Sequence, residues 1–273
     1  MRTVALLTIG CVVFAAGTRA DDPPKPKEKV FEFTGRTEAV ARVDIRARVT
    51  GYIDKIAAEE GDTVKAGTLL VEIDPRPYKA QCDAAKAQVV RAEARVKLAD
   101  AKLARLKKAV ATGAVAKEEL DEAMADREVA VAELAADKAA LDLANLNLAY
   151  TKIHAPIDGR VTHWKLTPGN LAVADTSLLA TIVRTDTLIV AFDVDERSLS
   201  KLLDAKGKDG KFAVAVGFSG DEGFPHTAEF RGMDSAVDPN TGTIRMRATL
   251  ANPKGTLLPG MFVRVRVTPP PGK

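Results

Sequence analysis

A chain of 273 residues in which 46% are hydrophobic and 28% charged can bury a sizeable core or several small modules, which excludes a wholly disordered protein. Its 40 basic and 37 acidic side chains leave a formal charge of +3, too even a balance to draw it to nucleic acid, and no nucleic-acid partner is expected. Aromatic residues are scarce, at 5%, and alanine is abundant, which favours closely packed helix surfaces over a large mixed core.

The first residues, MRTVALLTIGCVVFAAGTRA, carry Arg2, an apolar run from about Val4 to Ala16 and small residues up to Ala20. This is the pattern of a signal peptide (residues 1–20) cleaved near Ala20, and the run falls short of the ~20 residues that span a bilayer. Cys11 invites a lipid anchor, but Thr8 and the continuation of the apolar run past Cys11 read against one. Cleavage leaves Cys82 as the one cysteine, so stability must come from packing rather than an internal disulfide. The polar, proline-rich DDPPKPKEK that follows (21–29) reads as a tether. Residues 30–43, with VFEFTGRTEAV, are expected to supply the first strand of a barrel.

Two later stretches repeat each other. Subtracting 45 from 153 gives an offset of 108, which carries IRARVTG (Ile45 to Gly51) onto IHAPIDG (Ile153 to Gly159), and also Ile53 onto Val161 and Gly61 onto Gly169. Both copies alternate apolar and polar side chains, the period of a half-buried strand. Gly51, Gly61, Gly67, Gly159 and Gly169 stand where tight turns with positive φ are expected. Each set of short strands (44–76 and 151–183) is too small to bury its own face, so the two should close on each other as one flattened barrel or sandwich.

The intervening residues 77–150 are helical in pattern. From Tyr78 a small or apolar residue recurs at Cys82, Ala85, Val89, Ala92, Val96, Ala99, Leu103, Leu106 and Val110, alternating steps of four and three as a heptad seam requires. Beyond ATGAVAK a second seam is read through Val129, Ala132, Ala136, Ala139, Leu143, Leu146 and Tyr150, with Leu134, Leu141 and Leu148 as an adjacent stripe. Gly113 suits the left-handed end of the first helix, and Glu118 and Glu119 sit well in the first turn of the second. The expectation is an antiparallel coiled coil with arms of about 50 Å, with Cys82 as a small seam residue.

The remainder, 184–268, reads as a small antiparallel barrel with one helix. TDTLIVAFDVDE, FAVAVGF, HTAEFRGM, GTIRMRATL and MFVRVRV alternate as strands, ERSLSKLLDA is an amphipathic helix, and DPNTG is a turn. Residues 269–273 are a tail. The fold class is therefore α+β, elongated and multi-domain: a split β-sandwich, an inserted antiparallel coiled-coil hairpin and a small β-barrel domain.

Chemistry-bearing motifs are missing from this pattern. His154, His163 and His226 are too far apart for a local metal motif, and neither a phosphate loop nor a glycine-flanked nucleophile elbow occurs. No catalytic residue, metal ligand or cofactor is expected, and the protein is read as a non-enzyme.

In their order around a hairpin, three segments resemble the periplasmic adaptor subunits, or membrane fusion proteins, of tripartite efflux and type I secretion systems (HlyD-like and RND adaptors). They are VTGYIDKIAAEEGDTVKAGTLLVEIDPRPY, LNLAYTKIHAPIDGRVTHWKLTPGNLA and DSAVDPNTGTIRMRATLANPKGTLLPGMFVRVRV. The resemblance implies that the split sandwich is lipoyl-like, and it implies a periplasmic location, an outer-membrane channel, self-association as a hexamer and an inner-membrane transporter, of RND type more often than ABC, with the pump class itself left open by the sequence. It also implies a fourth, membrane-proximal domain in many members, for which little sequence remains here. In such adaptors the hairpin tip carries Arg, Leu and Ser; the matching positions are Arg105, Ala109 and Ala116, so only the arginine is kept, and Arg105 is either a docking residue or an ordinary solvated charge. With the Gly113 loop these define the expected docking tip. Two other readings stay open. One is a carrier subunit bearing lipoyl or biotinyl on Lys65 or Lys79, neither of which has the flanking residues of an acceptor lysine. The other is a coiled-coil scaffold with no transporter.

Overall fold

The computed structural model describes residues 30–204 and 212–269. The expected signal peptide with Cys11, the tether and residues 270–273 of the tail lie outside the described residues. In chain order the elements are β1 (Phe31–Ala39), β2 (Arg42–Arg46), β3 (Gly51–Ile56), β4 (Thr63–Val64), β5 (Leu69–Ile73), α1 (Arg76–Ala111) and α2 (Lys117–Tyr150). Then come β6 (Lys152–His154), β7 (Gly159–Val161), β8 (Leu171–Ala172), β9 (Leu178–Val183), β10 (Thr187–Asp195) and α3 (Glu196–Asp204), followed by β11 (Ala213–Phe218), β12 (His226–Met233), β13 (Thr243–Ala251) and β14 (Phe262–Thr268). They form an α+β chain of three modules: a sandwich, a helical arm and a barrel.

The sandwich consists of two four-stranded sheets, ordered β2-β9-β7-β4 and β6-β5-β3-β8. The repeat explains why they need each other. Gly51 is paired with Ala172 on β8, and its counterpart Gly159 with Val64 on β4, so each half lends a two-residue strand to the other half's sheet. The loops obey the same relation. The Gly61 N–H donates to the Val161 carbonyl at 2.9 Å, and the Gly169 N–H to the Ile53 carbonyl at 2.8 Å; the 108-residue offset converts one bond into the other. One core results, with Ile45, Ile53, Leu70 and Ile73 from the first half against Ala155, Val161, Leu179 and Ile182 from the second.

The turn glycines divide into two kinds. Gly61, Gly67 and Gly169 have φ of 84°, 86° and 87°, but Gly51 and Gly159 do not take positive φ and begin strands instead. What these two positions require is closeness. A Cβ on Gly159 would lie 2.5 Å from the Val183 carbonyl oxygen, and one on Gly51 would lie 2.7 Å from Ile73 Cγ2. The fourth turn of the repeat holds Asp175, with φ 58°, where the first half has Gly67. Its N–H donates to Ala47 at 2.8 Å just as the Gly67 N–H donates to Ala155 at 2.8 Å.

The barrel is closed, in the order β1-β10-β13-β12-β11-β14. Its first strand comes from the front of the chain: Phe33 pairs with Val265 on β14 and Thr37 with Val190 on β10. Alternate residues point inward, so Val190, Phe192, Val194, Met246, Val265 and Val267 are buried and the period of two seen in the sequence becomes an inside and an outside. α3 packs Leu202 into this core, and the Asp195 carboxylate accepts the Ser198 N–H at 2.9 Å at its start. The Ser198 hydroxyl, joined by this N–H, holds the Asp195 carboxyl below its ordinary pKa, and the N–H contact satisfies a free helix-end donor. Two short connections join barrel to sandwich, tied by the Arg184 N–H donating to Ala41 at 3.0 Å. Asn252, itself buried, donates to the Thr185 carbonyl at 2.7 Å.

Candidate docking surfaces of the helical arm

At 1.5 Å per residue, the 36 residues of α1 and 34 of α2 make an arm of about 50 Å. Its root is anchored by polar contacts. The Tyr78 hydroxyl donates to the Thr50 carbonyl at 2.7 Å, and Arg76 pairs with Asp74 at 2.7 Å. The Arg76 guanidinium, joined by the Arg76 N–H, pulls the Asp74 carboxyl down to about 2.

On α1 the inward positions are those of the expected seam: Cys82, Val89, Ala92 and Leu103 are buried, and Val96 and Leu106 half-buried. On α2 the seam differs from the expected one. Ala123, Ala130 and Ala144 are buried, with Leu120, Leu134, Leu141 and Leu148 half-buried beside them, whereas Val129, Leu143 and Leu146 are 59%, 60% and 46% exposed. The stripe read as adjacent therefore faces α1, and the one read as the seam faces outward. Both stripes have helical spacing, so periodicity alone cannot choose between them. The choice is made by alanines, which let the backbones approach, and by ion pairs beside the true seam. These are Arg95–Glu133 at 2.7 Å, Lys102–Asp126 at 2.9 Å and Arg127–Asp100 at 2.6 Å.

The distal end is built by the loop between the helices. Gly113 has φ 73°; its N–H donates to Val110 at 3.0 Å and the Ala114 N–H to Ala109 at 3.0 Å, which caps the last free carbonyls of α1. Ala116 begins α2 without a side-chain cap. Arg105 is exposed, Ala109 half-buried, and Gly113 and Ala116 exposed, so these four residues occupy the loop and the last two turns of α1. Arg105 lines a groove of about 410 Å³ with Lys102, Leu106, Glu119 and Glu122. Asp126, with Glu122 and Glu119 adding at longer range, holds Lys102 above its ordinary lysine pKa.

The surfaces of the two helices are opposite in sign. α1 carries ten basic and three acidic side chains, whereas α2 carries nine acidic and three basic. Along α2 the outward stripe of Val129, Leu143 and Leu146, with Ala132, Ala136 and Ala139 between them, has no partner within the described residues. Lys65 and Lys79 are exposed, in the turn after β4 and in the first turn of α1. Among the described residues no group of three or more His, Cys, Asp or Glu side chains is placed to hold a metal ion. No described helix is long and apolar enough to cross a membrane.

Residues 41–184 match the family described as the RND MFP barrel-sandwich hybrid domain, and residues 187–269 the RND MFP β-barrel domain. The chain belongs to the RND membrane fusion proteins. It is 36% identical over 250 residues to the multidrug efflux pump subunit AcrA of Escherichia coli K12, covering 89% of this chain and 63% of AcrA. It is 34% identical over 264 residues to the efflux pump periplasmic linker BepD of Brucella suis biovar 1, covering 93% of this chain and 66% of BepD. Thus the chain spans about two thirds or less of the length of these relatives. Among solved structures it is similar to a MacA–MexA chimeric protein containing the Pseudomonas aeruginosa MexA α-hairpin domain. The TM-score is 0.64 at 26% identity, covering 88% of this chain and 79% of the chimera.

Proposed function

We propose that this protein is a periplasmic adaptor of an RND-type efflux system, which links an inner-membrane transporter to an outer-membrane channel and catalyses no reaction. Copies assemble as a ring, which we take to be a hexamer, with the arms side by side. The observation that carries this reading is the outward face of α2: an apolar heptad stripe on an acidic helix, next to a basic helix of the same arm. A stripe with this spacing fits another helix. A neighbouring copy's α1 would offer the opposite charge, and a head-to-tail contact of this kind generates a ring where its rotation closes. The exposed tip, with Arg105, Ala109, Gly113 and Ala116, then meets the channel. Such an assembly favours one state of its partners only as far as it binds that state more tightly.

The mature protein, incubated with detergent-solubilised membranes of its source, should recover an integral-membrane RND transporter, and recovery of none would overturn the adaptor reading. Leu143→Glu with Leu146→Glu should abolish self-association in sedimentation while leaving the helical circular dichroism intact. Unchanged self-association would remove the α2 face from the ring. An added biotinyl or lipoyl mass on the intact protein would replace this reading with that of a carrier.

A further inference from the structure

Among the described strands β2 is hydrogen-bonded only to β9 and β6 only to β5, so each strand turns one edge away from its own sheet. These edges are the two copies of the repeated phrase, with Ile45 and Ile153 at equivalent positions. Between them, at the root of the arm, lies a cleft of about 490 Å³, within the ~300–1,000 Å³ of ordinary small-molecule sites. Its wall is apolar: Ile45 is buried, and Ile153 and Tyr150 are half-buried. Its mouth is largely cationic, with Arg46, Arg48 and Lys152 exposed around it. Among the described residues none of the three is in an ion pair. Arg46 spends one N–H on the Thr176 carbonyl at 3.0 Å, and the Arg48 guanidinium lies 5.1 Å from the Tyr150 ring centre. Each keeps further donors free, since a guanidinium carries five.

Two carboxylates share the rim. Asp44 accepts the Thr181 hydroxyl at 2.7 Å and so leans on its own sheet. Asp175 is the residue held at φ 58° where the first half of the repeat has glycine. Uncommon backbone conformations of this kind gather at ligand sites. His154 adds a further polar ring at the β6 edge.

We propose that this cleft binds an anionic amphiphile, a small molecule with an apolar body and a carboxylate, sulfonate or phosphate head. The body lies between Ile45, Ile153 and Tyr150, and the head takes the free donors of Arg46, Arg48 and Lys152. This goes beyond the adaptor reading and does not depend on it. The competing account is that these charges only guard two open strand edges against pairing with other chains, which requires no ligand.

The test is a fluorescence and calorimetric titration of the mature chain with 1-anilinonaphthalene-8-sulfonate. Saturable binding at one site per chain is expected, displaced by decanoate but not by decyltrimethylammonium. Arg48→Glu with Lys152→Glu should weaken binding by about tenfold or more, since one charge-assisted hydrogen bond is worth roughly that factor. Both residues are exposed, and an unchanged thermal melt shows that the fold is kept; Arg46→Gln provides a milder second variant. Absence of saturable binding, equal displacement by the cation, or wild-type affinity in both variants would overturn the proposal and leave the edge-guarding account.

Discussion

Asp175 and Gly67 perform one task with different backbones' tolerances. Both sit in the left-handed region, and both donate their N–H to an alanine carbonyl of the facing edge. An L-residue there is held against its steric preference, at a cost softened for aspartate. Asp175→Gly should raise stability by about 0.5–1 kcal/mol and Gly67→Asp lower it by about as much, read from paired denaturant unfolding curves. Opposite signs are required; two losses would mean the turns are not equivalent. At the root of the arm, Asp74 has a folded pKa of about 2, below its unfolded value. Its contribution is therefore present above the ordinary carboxylate range and lost as pH falls toward 2. Arg76→Ala should move the Asp74 titration, followed by carboxyl NMR shifts, up toward the ordinary value.

At the scale of elements, much of the architecture is legible in the sequence. The repeated phrase announced two halves that pair, because strands of two to six residues cannot bury a face alone. The α1 seam was readable because the rest of that helix is mostly charged or alanine, leaving one candidate stripe. The α2 seam was not, because leucine and alanine fill two stripes at the same spacing, and the period of a helix does not say which face meets a partner. Asp126, Arg127 and Glu133 were the available clue, since their partners on α1 lie opposite in an antiparallel register. The glycines were visible as special but not by mechanism: positive φ and close approach leave the same letter in the sequence. The corrected seam makes a sharp comparison. Leu103→Ala removes a side chain only 8% exposed and should cost about 2–3 kcal/mol, whereas Leu143→Ala, on the outward face, should stay within about 0.5 kcal/mol, both measured by urea denaturation of the same arm.

For the whole molecule, the arm places a small exposed tip about 50 Å from the sandwich, so changes there can alter docking without touching either core. Arg105→Glu should leave the melting temperature unchanged and weaken export in cells relying on this adaptor. Unchanged export would identify Arg105 as a solvated charge. If neighbouring arms meet basic helix to acidic helix, self-association should also fall as salt rises, a trend that sedimentation at several ionic strengths would show.

The route of the chain has one more outcome. The loop at Gly113 divides the described residues into a front piece and a back piece, and every module draws on both: β1 enters a barrel made otherwise from the back, β2 to β5 interleave with β6 to β9, and α1 lies along α2. Severing the backbone at the tip would therefore not separate the molecule, because three independent interfaces still clasp the fragments. A protease site engineered at the loop should yield two bands on a denaturing gel from one particle in solution. The same halves, expressed apart, are natural candidates for reconstitution in trans.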